Sequence, residues 1–371
     1  MNSSFVNIEL SLTNHECCEH SAKEVLRILR PQWQLSLVRF EVLTAGITNK
    51  IMSASVDSNE KLVFRIFGKN TGNFIDRDRE LSAMEKLARE GLAAPLYARF
   101  SNGILCGYLP GTTVTADQLK NTDMQRKICS TLAAYHNMDS TVVEVNDLFP
   151  FRKTKDFINN IDLTAIEIYR TRMQMGRLLL KTAREGFFQS EHCTTHTQAQ
   201  GFQGLLNFAN RLSDNIKDIE TLIVPLEEEI TFCHNDLLAN NIIFDDSSGK
   251  VLFIDYEYAD FNYAIFDLAN HFCEFAGVDN PDYTKCPNQE EMRIFLRFYL
   301  QARHGYVDEI RLENLLRRVS LFQALAHLLW SAWSVVQSQN STLRFDYVSY
   351  AKVRYEQYMK CLDNYTAQQQ F

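Results

Sequence analysis

Residues 231–256 read TFCHNDLLANNIIFDDSSGKVLFIDY, and they set His234, Asn235, Asp236, Asn241 and Asp255 at the edges of three apolar runs. The runs 230–233, 241–244 and 251–254 are short and rich in strand formers, while 245–250 is polar and carries the turn dipeptide Ser248-Gly249. That pattern predicts a small hairpin with polar groups at its mouth. His234, Asp236, Asn241 and Asp255 are then expected to converge where strands give way to loops, the usual place for chemistry on a rigid scaffold.

Upstream, residues 38–110 read as short strands around a single helix: VRFEVLT, NKIMSASV and KLVFRIFG, then the helical DRDRELSAMEKLAREG, then PLYARF and GILCGYLPG. After Gly111 the periods lengthen, as in DQLKNTDMQRKICSTLAAYHNM and LENLLRRVSLFQALAHLLWSAWSVVQ, so the rest is mainly helical with the hairpin embedded in it. The expected class is α+β in two lobes. A helical N-terminal extension over 1–37 precedes a small antiparallel β-rich lobe over 38–111 and a larger, mainly helical lobe over 112–371. The boundary near 106–112 makes a cleft between lobes the natural ligand site, holding Asp236 and Asp255. Residues 186–204, rich in Thr, Gln and His, are expected to form a loop between helices.

Of the 371 residues, 46% are apolar and 23% charged, ordinary values for a folded chain. The formal charge of -8 lacks the basic footprint of a general nucleic-acid binder. Nine cysteines, at 17, 18, 106, 129, 193, 233, 273, 286 and 361, form no CxxC pair and fit reduced thiols in a cytoplasmic protein. The amino terminus MNSSFVNIELSL lacks a basic region followed by an apolar block, so no signal peptide is expected. No apolar run is expected to reach the roughly 18 residues that span a bilayer. HECCEH at 15–20 offers two His and two Cys, but its adjacent thiols depart from the spacing of zinc sites, which favours a solvated helix start.

Asp236 lies two residues after His234 and five before Asn241, and Asp255 closes the strand VLFID. One Asp beside a substrate hydroxyl can act as a base, and an Asn carbonyl with a second carboxylate suits a hard cation such as Mg²⁺. This is the chemistry of phosphoryl transfer. Any one of these residues would be ordinary in a turn between buried strands; the joint set carries the reading.

HNDLLANNI followed by FIDYEY resembles the catalytic and metal-binding segments of the choline and ethanolamine kinases, within the protein-kinase-like superfamily. The likeness runs on through FNYAIFDLANHFCEFAG at 261–277, HLLWSAWSVVQS at 327–338 and LTAGITNK at 43–50. It implies a two-lobed protein-kinase-like fold, with ATP and Mg²⁺ as cofactors and an amino alcohol as substrate. Asp236 would orient and deprotonate the substrate hydroxyl, Asn241 and Asp255 would bind magnesium, and Glu257 would be a further metal residue. Asp267 would support the catalytic loop. Gly46, Thr48 and Asn49 of AGITNK would present a turn to phosphate, Arg65 would stand where protein kinases carry a strand Lys, Glu80 could pair with it, and Tyr108 of YLPG would lie at the connection that contacts adenine. A homodimer is also implied.

Trp330 and Trp333, three apart on a helical pattern, share a side. Alone they read as core; by the resemblance they line an amino-alcohol pocket with Glu274 and Tyr350, where aromatic faces and a carboxylate attract an ammonium. A quaternary ammonium donates no N–H and needs aromatic walls, whereas a primary one donates three. Phe275 is followed by Ala276, Gly277, Val278 and Asp279 where choline kinases tend to place another aromatic residue, so ethanolamine is the expected alcohol and choline the alternative. The product would be phosphoethanolamine, the first step of the CDP-ethanolamine route to phosphatidylethanolamine. A pseudokinase should have lost Asp236, Asn241 or Asp255, and the NHFCEFAG and WSAW blocks disfavour an aminoglycoside phosphotransferase.

Overall fold

The computed structural model describes residues 4–11, 14–45, 49–56, 60–67, 76–138, 144–162, 164–165, 195–341 and 345–369. Its contacts divide the chain into two compact units, residues 1–135 with 236–260, and 136–235 with 261–371.

The first unit begins with β1 (Ser4–Val6), α1 (His15–Leu29), β2 (Arg39–Ala45), β3 (Asn49–Ser55), β4 (Lys61–Phe67), α2 (Arg77–Arg89), β5 (Leu96–Phe100) and β6 (Gly103–Gly107). The six strands form one sheet in the order β1-β5-β6-β4-β3-β2, antiparallel except where β1 runs parallel to β5. Strand alternation explains its two faces. In β4, Leu62, Phe64 and Ile66 are buried and join Cys18, Ala22, Val25 and Leu26 of α1 in a core, while Val63 and Arg65 point to the opposite face. Asn14 caps α1 through its side chain, which accepts from the Cys17 backbone N–H, so HECCEH is the opening of a helix with Cys18 buried.

The same unit continues with β7 (Thr112–Thr113), α3 (Ala116–Leu119) and α4 (Thr122–His136), and it takes back the hairpin of β9 (Ile242–Asp245) and β10 (Lys250–Phe253). In the second unit lie α5 (Phe149–Asn159), α6 (Thr195–Ile223), β8 (Ile230–Cys233), β11 (Asp260–Tyr263), α7 (Ala264–Cys273), α8 (Gln289–His304), α9 (Glu309–Asn340) and α10 (Tyr347–Gln368). Here β8 pairs with β11, and α9 packs on α7 and α10.

Four expectations change. The segment 1–37 is not a helical extension alone, since it supplies a strand to the sheet and a helix to its core. The compact division falls after Tyr135 rather than near Gly111, because β7 pairs with β9, the Thr131 hydroxyl donates to the Val251 carbonyl (2.8 Å), and Tyr135 packs on Phe253. Residues 195–204 are the start of α6 and not a loop, while 186–194 lie outside the described residues. Finally, α9 is long and apolar enough to cross a bilayer by length and composition; 89% of its most apolar stretch is buried inside the protein, the mark of a core helix.

Gly111 is fixed by space. Its φ is +115°, and a Cβ there would lie 2.3 Å from the Phe244 carbonyl oxygen, so only glycine lets the chain pass from the sheet into β7.

Candidate active site

The hairpin read from the sequence is present, with Ile242 opposite Phe253 and Lys250 opposite Asp245. Asp236 begins the turn that leads into it. Its backbone carbonyl accepts from Leu238 N–H and from Asn241 Nδ2 (2.9 Å), and its carboxylate also accepts from Asn241 Nδ2 (3.2 Å). Asn241 is therefore locked to Asp236. Its carbonyl accepts in turn from Ile254 N–H (2.9 Å), which ties the loop to the residue just before Asp255. Asp255 itself has φ +68°, an uncommon conformation for a residue with a side chain.

Arg65 on β4 reaches this corner. Its Nη1 donates to Glu80 (2.5 Å) and its Nη2 to Asp255 (2.9 Å), with Glu257 4.0 Å away. Arg77, one turn before Glu80 on α2, donates to the other Glu80 oxygen (2.6 Å). Burial opposes the Arg65 charge, but Asp255, Glu80 and Glu257 outweigh it and raise the pKa. Glu257 is pushed up to about 8, first by burial and then by the charge of Asp255. The corner thus sets three carboxyl groups against two arginines, with Glu257 holding its proton at neutral pH, and the groups that could ligate a metal are oxygens. Asn241, Asp255 and Glu257 fit a hard divalent cation in chemical type.

A cavity of about 480 Å³ opens beside these groups within the same unit. Leu43, Ile51, Val63, Met84 and Ile104 give it apolar walls, Arg65, Asn241 and Asp255 give it polar ones, and the segment 106–109 with Tyr108 forms an edge. An apolar slot with a few convergent polar groups is the usual form of a small-ligand site, and the volume suits a nucleotide. Gly46 and Thr48 lie outside the described residues. Asn49 opens β3, with its side chain outside them too.

In the second unit, Asp267 on α7 holds the strand end that precedes Asp236. One carboxylate oxygen accepts from His234 N–H and the other from Asn235 N–H, each at 2.7 Å. Burial works against ionising Asp267, yet these bonds and His136 keep its pKa below the usual range. His136 is held below its own ordinary value by burial and is neutral; because Asp267 only accepts, Nε2 carries the proton and Nδ1 accepts from the Tyr299 hydroxyl (2.7 Å). Cys233 lies near enough to His136 and Asp267 to complete a metal-type trio. Its thiol is kept protonated by burial, and the Asp267 oxygens are taken, so the trio is a structural support.

Of the other predicted residues, Glu274 lies in the turn that ends α7, Trp330 and Trp333 on α9 and Tyr350 on α10. Glu274 is buried, and its Oε1 accepts from Nη1 of Arg354 at 3.1 Å; the same nitrogen donates to the Tyr350 hydroxyl at 3.2 Å. Trp330 and Trp333 meet edge to face with centroids 5.8 Å apart, and Trp333 meets Tyr347 at 5.8 Å. The Trp330 indole donates to Asn270 Oδ1 (2.8 Å). Arg354 was missed in the sequence. Its position four after Tyr350 on one helix was the available signal, but its charge partner lies 80 residues away.

The model of the choline/ethanolamine kinase family matches residues 40–359. The chain belongs to that family. It is 31% identical to ethanolamine kinase 1 of Mus musculus over 358 residues, covering 94% of this chain and 91% of that protein. With ethanolamine kinase of Drosophila melanogaster it shares 32% identity over 311 residues, 81% of this chain and 54% of the other. Among solved structures, Plasmodium vivax ethanolamine kinase superposes with a TM-score of 0.74 at 24% identity, over 96% of this chain and 91% of that one, a likeness of fold. The two-lobed kinase-like class, β-rich then helical, is the fold of the family member described here.

Proposed function

We propose that the chain transfers the γ-phosphoryl group of ATP to the hydroxyl of ethanolamine, releasing ADP and phosphoethanolamine. The observation that carries this is the Asp236 loop, locked to Asn241 and through Ile254 to the strand end at Asp255, beside a nucleotide-sized cavity. Asp236 orients the hydroxyl and takes its proton as oxygen bonds to phosphorus and the bond to the bridging oxygen of ADP breaks. Asn241 and Asp255 would hold Mg²⁺, with Glu257 beside them; the ion supplies positive charge at the phosphates. Arg65, steadied by Glu80, supplies a forked donor for phosphate oxygens.

Ethanolamine is favoured over choline because Phe275, the aromatic member of 275–279, packs against His271 in the core at 5.3 Å. Glu274 then offers an acceptor where extra aromatic wall would serve a quaternary ammonium. The relatives' names support the same choice. A cytoplasmic location belongs to this proposal and rests on the scattered thiols. The test is ATP turnover by the purified chain with Mg²⁺ and ethanolamine: alcohol-dependent release of ADP with formation of phosphoethanolamine is expected, and turnover indifferent to added alcohol would refute it.

A further inference from the structure

Glu274 does not face its substrate as a lone carboxylate. Among the described residues, Arg354 is its hydrogen-bonding partner, and the pair is enclosed, with side-chain exposures of 1% for Arg354 and 4% for Glu274. The guanidinium is committed to this contact: Nη1 serves both Glu274 and the Tyr350 hydroxyl, while Nε and Nη2 are buried with no hydrogen-bond partner among the described residues. A buried cation beside the carboxylate proposed to receive a cationic substrate is at first sight a conflict. It is resolved by separating what charge does from what lone pairs do.

We propose that Arg354 is a positioning residue that fixes Glu274 and makes the amino-alcohol site read N–H donors in place of bare positive charge. The inference rests on the proposed function above. The guanidinium and the carboxylate form a neutral pair, so an incoming ammonium feels attraction from one and repulsion from the other, and the long-range pull on any cation is reduced. Oε1 is engaged by Arg354, which leaves Oε2 as the acceptor that can be offered to a ligand. A hydrogen bond is short-ranged and directional, so it survives the charge balance. A primary ammonium can use that oxygen, and a quaternary one cannot. Tyr350 reinforces the arrangement, since its hydroxyl accepts from the same Nη1 and its ring meets Phe345 at 5.4 Å.

The experiment measures kcat/KM for ethanolamine and for choline, and KM for ATP, in wild type, Arg354→Gln and Arg354→Lys. In Arg354→Gln the ratio of ethanolamine to choline efficiency falls about tenfold, because Glu274 loses its anchor while the net negative charge available to choline rises. Arg354→Lys keeps the charge but not the planar nitrogen that holds Glu274 and Tyr350 together: its KM for ethanolamine rises while choline, which draws no hydrogen bond from Glu274, changes little, so the ratio falls about threefold, less than in Arg354→Gln. KM for ATP is unmoved in both. Should Arg354→Gln not fold, the lysine variant decides, and a rise in KM for ATP matching that for ethanolamine there would assign Arg354 a merely structural role and overturn the inference. A ratio unchanged in a folded Arg354→Gln protein overturns it as well, leaving the proposed function intact. No wild-type turnover with either alcohol would defeat the proposed function, and this inference with it.

Discussion

The corner around Arg65 and the pair of Glu274 with Arg354 both join carboxyl groups to arginine, yet they differ in how many carboxyls each arginine meets. At the first, Asp255, Glu257 and Glu80 surround Arg65, with Arg77 as the only further cation in contact with Glu80 that the described residues show. Glu257 is raised to about 8, first by burial and then by the charge of Asp255, so it holds a proton at neutral pH. At the second, one carboxylate meets one guanidinium, which also donates to the Tyr350 hydroxyl. The first region has a third carboxyl group that gains its charge when an added cation displaces the proton. The second has none, and keeps lone pairs for a hydrogen-bond donor.

The largest expected effect lies in neither arginine cluster. Asp236→Asn is nearly isosteric and preserves the loop, but the amide cannot accept the hydroxyl proton, so kcat should fall by roughly 10²–10⁴-fold. Affinity for MgATP, read by nucleotide titration, should stay within about twofold. Near-normal turnover would remove Asp236 as the base.

The charge contrast itself is tested by stability. Glu274→Ala strands the buried Arg354, and breaking a buried pair from one side costs about 3–5 kcal/mol. Asp255→Ala leaves Arg65 still paired with Glu80, and Asp255 is itself more than a third exposed, so its loss should cost about 1 kcal/mol or less. Denaturant unfolding of both variants gives the comparison. Equal losses would mean that the two regions do not differ as described. In activity the order reverses for magnesium: Asp255→Ala should raise the Mg²⁺ needed for half-maximal rate by about tenfold, a factor worth about 1.4 kcal/mol, and Asn241→Ala by less, since it removes a neutral ligand. An unchanged titration for Asp255→Ala would exclude it as a ligand.

How far the sequence revealed these regions follows from the range of the interactions. The hairpin of β9 and β10 was legible because alternation, a turn dipeptide and two strand ends all lie within 26 residues that decide one another locally. Asp236, Asn241 and Asp255 came with it. Glu80 was read beside Arg65 because one strand and the next helix lie close in the chain. Arg354 and the Tyr299–His136–Asp267 support were hidden, since each joins residues 80 or more positions apart and no local pattern announces them. β1 is three residues long, too short for a period to show, and is made a strand by its pairing with β5. The start of α6 was hidden by composition: its polar, Thr-rich opening shows no apolar period, but Leu212, Ile216, Ile219 and Ile223 bury one helical face further along and carry the helix.

The smallest expected effect concerns acid. His327 in α9 is buried and kept neutral, its pKa well below the ordinary value, first through burial and then through the charge of Arg354. In the unfolded chain the imidazole takes up a proton below about pH 6.5, so acid favours the unfolded state, and the folded state loses stability as pH falls from 7 toward the depressed folded value. His327→Gln should flatten that loss by up to one proton's worth, about 1.4 kcal/mol per pH unit. Urea midpoints at pH 7, 6 and 5 read the slope, and parallel curves for the two proteins would show that His327 is not neutral in the fold.

The most direct measurement is a competition. Purified protein with MgATP is given ethanolamine and choline at equal concentration, and both phosphorylated products are quantified over the initial phase. A site that reads N–H donors through Glu274, held by Arg354, predicts phosphoethanolamine in clear excess. Phosphocholine formed at an equal or greater rate would contradict the account.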